Sequence, residues 1–253
     1  MGYVPRSLYR IYYMNFIQNA KHIFFHEWYL HWSPDIALRY LPIINDLKKS
    51  PVGTILDVGS GSLGITPYFK RNVTGVDVTF SPPYSKLLQR VKGTATKLPF
   101  KNQSFDYVLC VDTLEHVPPK FRPQVIKELL RVAKVKVYLI NPLDEPARVE
   151  DAFINEYLIK HKGIGDPYLD EHIKYGQPKS KDIVAMIGSK YQITILPFTN
   201  IYLHRLLLIF QFSDHKVGRF ISSVIFVLLT NVFVHINVGP TYRKLFILTK
   251  LTS

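Results

Sequence analysis

The sequence predicts an α/β fold built on one mostly parallel sheet of seven strands. Three observations support this prediction: short apolar runs alternate with helical patterns, a glycine-rich turn follows an early apolar run, and 47% of the 253 residues are hydrophobic. Such alternation joins neighbouring strands through right-handed crossovers and gives a parallel sheet. The apolar content is enough for one large core, and the composition is not that of a disordered chain.

The predicted elements begin with an aromatic and basic N-terminal helical lid over residues 1–50. Its last helix starts after Ser33, with Pro34 in the first turn, and ends at about Leu47. In the domain predicted over residues 51–253, strands are short apolar runs and helices have apolar residues at helical spacing. The strands are predicted at 54–58, 73–78, 91–95, 105–111, 135–140, 191–197 and 243–250, the helices at 63–70, 84–91, 124–133, 150–161 and 180–188, and a loop at 162–179.

An apolar insertion at about residues 200–238 interrupts the alternation near the end of the chain. Polar residues such as Asn231 and His235 shorten its apolar run below the length of a membrane span. A single crossing would also leave the last strand on the wrong side of the membrane from its sheet. We therefore expect either a C-terminal apolar helical cap or a patch, over residues 201–236, that lies on a membrane surface.

Charge and cysteine content limit the partners and the compartment. The net charge of +13 fits a nucleic acid, an anionic membrane surface or an acidic small molecule. The basic residues are spread along the chain and often lie beside apolar ones, which favours a membrane surface or a solvated face. Cys110 is the only cysteine and lies in an apolar run, so we expect a buried thiol and a reducing, cytoplasmic location.

The glycine-rich turn after the first strand contains Gly59, Ser60, Gly61 and Gly64. Glycine is needed where the backbone turns tightly and a ligand lies against it, and free amides at a helix start suit an anion. Asp77 follows Gly59 by eighteen residues, at the end of the second strand. A carboxylate there can accept both hydroxyls of a ribose, so the pattern predicts a nucleoside-containing cofactor.

Two cofactors fit this layout, and Asp57 distinguishes them. The glycines match the dinucleotide pattern G-x-G-x-x-G, which is a weak signal alone. A pyrophosphate would be repelled by a carboxylate two residues before Gly59. A cofactor with a cationic amino end would be attracted, so the charge argument favours a methionine-derived cofactor.

Further motifs strengthen that choice. They are Leu98-Pro99-Phe100, Ser104-Phe105-Asp106-Tyr107-Val108 and Leu114-Glu115-His116-Val117. In order and spacing they resemble class I S-adenosylmethionine-dependent methyltransferases, most of all the small-molecule "type 11" family that includes ubiquinone and menaquinone biosynthesis enzymes. The resemblance covers about residues 50–140 and implies a Rossmann-like fold.

The resemblance implies roles for individual residues. Asp57, Gly59 and Gly61 would flank the methionine part of S-adenosyl-L-methionine, Asp77 would hold its ribose, and Leu98 would lie near the adenine. Many relatives bind the adenine amino group with an aspartate where this chain has Thr94, so backbone groups or Thr96 would take that role, or cofactor binding is weaker. The full set of expected cofactor-binding residues is Asp57, Gly59, Ser60, Gly61, Asp77, Thr94, Ala95, Leu98 and Asp112.

Asp112, Glu115 and His116 follow the fourth strand, where ligands of parallel sheets bind. We expect Glu115 and His116 to be catalytic, with His116 as a candidate general base. In some quinone-pathway relatives a similar E-x-x-E-H run binds a divalent metal, and oxygen ligands here would suit magnesium. The alternative, which we adopt as the expectation, is that these residues shape the pocket and hold no metal.

The expected function is methyl transfer from S-adenosyl-L-methionine to a small, apolar or lipid-linked acceptor, because the lid is aromatic and the insertion apolar. The motif at 81–84, S-P-P-Y, resembles one of amino-methylating DNA enzymes, but it follows the second strand rather than the fourth, so we expect no DNA partner. Two alternatives stay open: an RNA methyltransferase, suggested by the net charge, and a non-catalytic cofactor-binding module that docks on membranes. Alignment alone can suffice for an activated methyl group, so the sequence does not name the acceptor atom.

Overall fold

The computed structural model describes residues 34–211 and 239–251, together with Val232 and His235. Most of the predicted lid (residues 1–33) and most of the predicted cap (from residue 212 on) lie outside the described residues. None of the helices within the described ranges is long and apolar enough to cross a membrane.

The centre of the fold is a sheet of seven strands in the order β3-β2-β1-β4-β5-β7-β6. Strands β1 to β5 pair in parallel, and β7 pairs antiparallel with both β5 and β6. This mixed, mostly parallel sheet confirms the predicted fold class. The strands are β1 (Ile55–Val58), β2 (Val73–Asp77), β3 (Leu88–Lys92), β4 (Phe105–Val111), β5 (Ala133–Pro142), β6 (Tyr191–Asn200) and β7 (Thr241–Lys250).

Six α-helices surround the sheet within the described ranges. Short 3₁₀ turns at Leu114–His116 and Pro119–Phe121 connect β4 to the next helix. The helices are α1 (Pro34–Leu47), α2 (Arg122–Val132), α3 (Asp144–Lys162), α4 (Pro167–Tyr175), α5 (Ser180–Ile187) and α6 (Ile201–Gln211).

Apolar layers cover both faces of the sheet, and β4 contributes to each because its successive side chains point to opposite faces. Leu109 packs in a cluster with residues of α1 and α6, such as Ile43 and Leu203. Val108 and Cys110 pack on the other face with residues of α2 and α5. The cysteine is therefore buried in the core, as its sequence neighbours predict.

Three predictions of local structure were wrong. Residues 63–70 form successive turns rather than a helix, because Gly64 has φ +51° and Pro67 has no N–H to donate. The third strand is β3, which lies where a helix was predicted at 84–91, and it ends before residue 95. The predicted loop at 162–179 contains α4, which starts at an Asp166 cap and Pro167.

The sheet topology determines which residues can meet. Parallel strands β1, β2, β4 and β5 all end at one edge of the sheet, and ligands of such sheets bind beyond this edge. Because β7 runs antiparallel, its first residues reach the same edge, where Arg243 is opposite Pro142. Residues just after β1, β2 and β4 therefore lie at the same end of the sheet as the first residues of β7.

Candidate functional site

The glycine turn after β1 has left-handed backbone conformations that favour glycine. Gly59 has φ +74°, and its N–H donates to the carbonyl of Val76 in β2 over 2.8 Å. A Cβ atom at Gly59 would lie 2.2 Å from Oγ1 of Thr113, so no larger residue fits. Gly61 has φ +56°, but a Cβ there would meet no atom of the described residues within 4 Å. The backbone at Gly61 therefore borders open space in which a ligand could lie.

Asp77 connects the end of β2 to this turn. Its Oδ2 accepts a hydrogen bond of 2.8 Å from the N–H of Gly61, and its Oδ1 accepts one of 3.3 Å from the N–H of Thr79. Ser60 is buried and donates its hydroxyl to the carbonyl of Gly61 over 2.8 Å. The structure thus brings the glycines and Asp77 together, as the sequence predicts.

Asp57 is fully buried behind the turn. Its Oδ2 accepts hydrogen bonds from the hydroxyl of Tyr40 (3.1 Å) and the N–H of Ile65 (3.0 Å). Its Oδ1 has no hydrogen-bond partner among the described residues. Desolvation by burial raises the pKa of Asp57 to about 7. An unpartnered carboxylate oxygen at this position fits a cationic group of a ligand.

The residues expected near the adenine lie just beyond β3. The hydroxyls of Thr94 and Thr96 are 3.0 Å apart, and Ala95 packs against the core. Leu98 is buried in the core, and its N–H donates to Oε2 of Glu128 over 2.8 Å.

Asp112 belongs to a largely buried ion-pair cluster made of Asp35, Arg39, Asp112 and Arg243. Arg243 binds Asp112 through Nε (3.1 Å to Oδ1) and one terminal nitrogen (2.7 Å to Oδ2), and Arg39 is 3.0 Å from Oδ2. Asp35 pairs with Arg39 and, at 3.5 Å, with Arg243. Although burial opposes ionisation, Arg243 and Arg39 hold the pKa of Asp112 below its usual value. Both of its oxygens are engaged with guanidinium groups.

Glu115 and His116 belong to a different group, which we call the histidine–carboxylate cluster: Glu115, His116, Asp151, Glu171 and His172. Nδ1 of His116 lies 2.8 Å from Oε2 of Glu171, and Nδ1 of His172 lies 2.9 Å from Oδ2 of Asp151. The two Nε2 atoms are 3.4 Å apart. The cluster therefore combines residues that follow β4 with residues of α3 and α4.

Glu115 is fully buried in this cluster without a salt bridge among the described residues. Its Oε2 accepts a hydrogen bond of 2.5 Å from Nδ2 of Asn141, and its Oε1 has no partner within the described ranges. Burial and the negative charge of Asp112 raise the pKa of Glu115 to about 8. Burial and the neighbouring His172 lower the pKa of His116.

Comparison with known proteins shows which family this part of the chain resembles. Residues 56–141, from β1 to the end of β5, match the family described as "Methyltransferase domain". This segment of the chain is therefore similar to a methyltransferase domain. The match includes the glycine turn, Asp77 and the residues that follow β4.

Part of the chain is similar in sequence to a norajmaline N-methyltransferase from Rauvolfia serpentina. The identity is 32% over 114 residues, which are 39% of this chain and 38% of that relative. The aligned region thus spans well under half of the relative's length.

Solved structures of low sequence identity share the fold. A methyltransferase assigned to an antibiotic biosynthesis pathway of Anabaena variabilis has a TM-score of 0.54 at 12% identity, covering 85% of this chain and all of that one (100%). Phosphoethanolamine N-methyltransferase 2 of Haemonchus contortus, in complex with S-adenosyl-L-methionine, has a TM-score of 0.52 at 14% identity, covering 92% of this chain and 60% of that one. At these identities the likeness supports the fold of the methyltransferase domain and not its substrate.

Sequence reasoning missed three members of the histidine–carboxylate cluster: Asp151, Glu171 and His172. The last two lie in α4, within a segment that was predicted to be a loop. A signal was present, because Asp166 followed by Pro167 is a typical helix start and Gly176 a typical helix end. From its sequence position Asp112 was grouped with Glu115 and His116, but in the structure it pairs with Arg39 and Arg243. Its role toward the cofactor stays a prediction.

Proposed function

We propose that the chain transfers a methyl group from S-adenosyl-L-methionine to a small acceptor with an apolar body. The observation that carries this proposal is a shared end of the sheet: the glycine turn follows β1, Asp77 ends β2, and Glu115 and His116 of the histidine–carboxylate cluster follow β4. When bound, the cofactor would supply a methyl group already activated on a sulfonium. The protein then has to bind, orient and shield the two reactants.

The residues present fit this cofactor. Open space borders the backbone of Gly61, because no atom of the described residues lies within 4 Å of the position that a Cβ would take there. Asp77 offers a partly exposed carboxylate that would accept hydroxyl groups of the ribose. The unpartnered oxygen of Asp57 would favour the cationic amino group at the methionine end.

The acceptor would bind beside His116. The ring of Tyr168 packs nearly perpendicular to the imidazole, with 5.6 Å between ring centroids, and Tyr168 is 69% exposed. An exposed aromatic ring next to a polar cluster suits an acceptor with an apolar body and a polar reactive atom. The similarity to a norajmaline N-methyltransferase agrees with a small-molecule acceptor.

Glu115 and His116 would act on the polar atom of the acceptor. A hydroxyl acceptor must lose a proton, and groups near it must promote that loss. An amine acceptor with a free electron pair needs orientation only. Both residues are therefore proposed to hold and activate the acceptor rather than to bind the cofactor.

Calorimetry with S-adenosylmethionine, its demethylated product and NAD tests the cofactor part of the proposal. We expect the first two to bind and NAD to show no heat. Incubation with methyl-labelled cofactor and a panel of small apolar amines and alcohols tests the second part, with label transfer as the readout. Preferential binding of NAD, or labelling of RNA but of no small molecule, would contradict the proposal.

A further inference from the structure

The two histidines of the histidine–carboxylate cluster face each other through their Nε2 atoms. Each Nδ1 lies within 2.9 Å of a carboxylate oxygen, from Glu171 for His116 and from Asp151 for His172. An ionised carboxylate only accepts hydrogen bonds, so each Nδ1 must carry the hydrogen. In a neutral imidazole the other nitrogen then has a lone pair. When both rings are neutral, the two Nε2 atoms, 3.4 Å apart, direct lone pairs at each other, and a cation between them would bind both.

Glu115 adds a third donor to the same place. It is fully buried, and its Oε1 has no hydrogen-bond partner among the described residues. One ligand atom from each of Glu115, His116 and His172 can be chosen so that all three lie within 4.8 Å of one another. A proton shared between the imidazoles would satisfy the nitrogens but leave this buried oxygen unpartnered, whereas a metal ion would satisfy all three groups.

We propose that Glu115, His116 and His172 bind a divalent transition-metal ion, with zinc as the best fit. Two nitrogens at about 2.0–2.1 Å from a tetrahedral zinc ion lie about 3.3 to 3.4 Å apart, which matches the spacing of the Nε2 atoms. Two imidazoles and one carboxylate suit zinc better than magnesium, which prefers oxygen ligands. Asp112 is excluded as a ligand because Arg243 and Arg39 hold both of its oxygens.

The surroundings are those of a metal site. Histidine ligands commonly donate their other ring N–H to a carboxylate, which fixes the ring and raises its basicity. Asp151 does this for His172 from a buried position, where it also accepts hydrogen bonds from Tyr242 and Gln177. Glu171 does the same for His116 from a half-exposed position.

This inference deepens the proposed function, and its catalytic consequence rests on that function. Three protein ligands leave one position of a tetrahedral ion open, as in catalytic zinc sites. An oxygen or nitrogen of the acceptor would bind there. A metal-bound hydroxyl has a lowered pKa, so the ion would promote the loss of the proton that we assigned above to Glu115 and His116 in general terms.

The test is a calorimetric titration of the full chain, stripped with a chelator, with zinc. We expect one ion per chain, and binding at least about 100-fold weaker in His116→Ala and in His172→Ala. Glu171→Gln should weaken binding by about 10-fold to 100-fold, the usual effect of losing the partner of a histidine ligand. The matched control is His161→Ala, an exposed histidine near the end of α3, which should bind zinc like the wild type.

Two further readouts guard against misfolding and coincidental binding. Each variant is titrated with S-adenosylmethionine, whose retained affinity shows an intact fold. Cobalt is added in place of zinc, because tetrahedral coordination gives visible absorption that His172→Ala should abolish. The metal site is overturned if the wild type binds no zinc, or if His172→Ala binds it like His161→Ala. Zinc binding without any cofactor binding would instead overturn the proposed function and leave the metal site standing.

Discussion

Two carboxylates three residues apart, the largely buried Asp112 and the fully buried Glu115, have surroundings that differ in charge. Asp112 faces the guanidinium groups of Arg39 and Arg243, and its pKa is lowered despite burial. Glu115 has a hydrogen bond from Asn141 and no salt bridge within the described ranges, and its pKa is raised to about 8. Asp112, whose negative charge is compensated by two arginines, connects parts of the fold. Glu115, whose charge is not compensated, keeps one oxygen available to a ligand.

The ion-pair cluster connects segments that are distant in sequence. Asp35 and Arg39 belong to α1, Asp112 follows β4, and Arg243 lies in β7. His204 of α6 lies beside the cluster and stacks on Tyr242, with ring centroids 3.7 Å apart. Burial and Arg243 lower the pKa of His204 to about 3, so this imidazole adds no charge at neutral pH. The negative charges of two aspartates and the positive charges of two arginines then balance, and the cluster stabilises the end of the sheet at which the site lies.

The largest effect that we predict is the loss of stability in Arg243→Met. This change leaves two buried carboxylates with one guanidinium between them, and breaking a buried ion pair in this way costs about 3–5 kcal/mol. The control is Lys244→Met, since the neighbouring Lys244 pairs with Asp144 in a partly exposed position and should lose less than about 1 kcal/mol. Urea unfolding measures both. Similar losses in the two variants would contradict the structural role of the cluster.

A direct comparison of the two carboxylates comes next in size. Asp112→Asn removes the charge that balances two arginines and should cost about 3 kcal/mol. Glu115→Gln keeps the shape and can still accept from Asn141, so without metal its free energy of unfolding should change by less than about 1 kcal/mol. Unfolding of both variants in the presence of a chelator provides the measurement. If Glu115→Gln lowers the free energy of unfolding more than Asp112→Asn does, the two carboxylates do not differ in the way that their charged neighbours indicate.

A third carboxylate, Asp77, extends the comparison to the glycine turn. Asp77→Ala should weaken binding of S-adenosylmethionine by about 2 kcal/mol, which is about 30-fold, through the loss of hydrogen bonds to a charged group. Asp106→Ala is the control, because Asp106 lies at the start of β4 on the opposite edge and bonds to Thr54. Its cofactor affinity should be unchanged in calorimetry. Equal weakening in both variants would mean that Asp77 acts through stability alone.

The sequence predicts the glycine turn well because that site is local: Gly59, Gly61 and Asp77 lie within nineteen residues and two strands. The histidine–carboxylate cluster is different, because His172 is separated from His116 by 56 positions and enters through the packing of α4. The pairing of Asp112 with Arg243 spans 131 positions and has no local pattern.

The error at β3 has another cause. Several residues of β3 are good helix formers, and several are exposed because β3 is an outermost strand of the sheet. The sequence of this strand is Leu88, Gln89, Arg90, Val91 and Lys92. Pairing with β2 overrides this preference, and sequence patterns alone do not contain that interaction.

The last effect that we predict, the smallest when it is counted per pH unit, concerns Asp57, the other buried carboxylate that has no cationic partner among the described residues. Its folded pKa of about 7 exceeds its ordinary value of 3.8, so between these pH values the folded protein retains a proton that the unfolded chain has lost. The contribution of Asp57 to stability must then fall as pH rises through this window, with a slope of at most about 1.4 kcal/mol per pH unit for one proton. Asp57→Asn removes that contribution and should flatten the curve. Asp182→Asn, at an exposed position of α5, should leave the slope as in the wild type.

Unfolding free energies measured at several pH values from about 4 to about 8 give the three slopes, and other titrating groups cancel in the differences. A curve for Asp57→Asn parallel to that of the wild type would show that Asp57 is ionised in the folded protein, and the contrast with Asp112 would then not extend to Asp57.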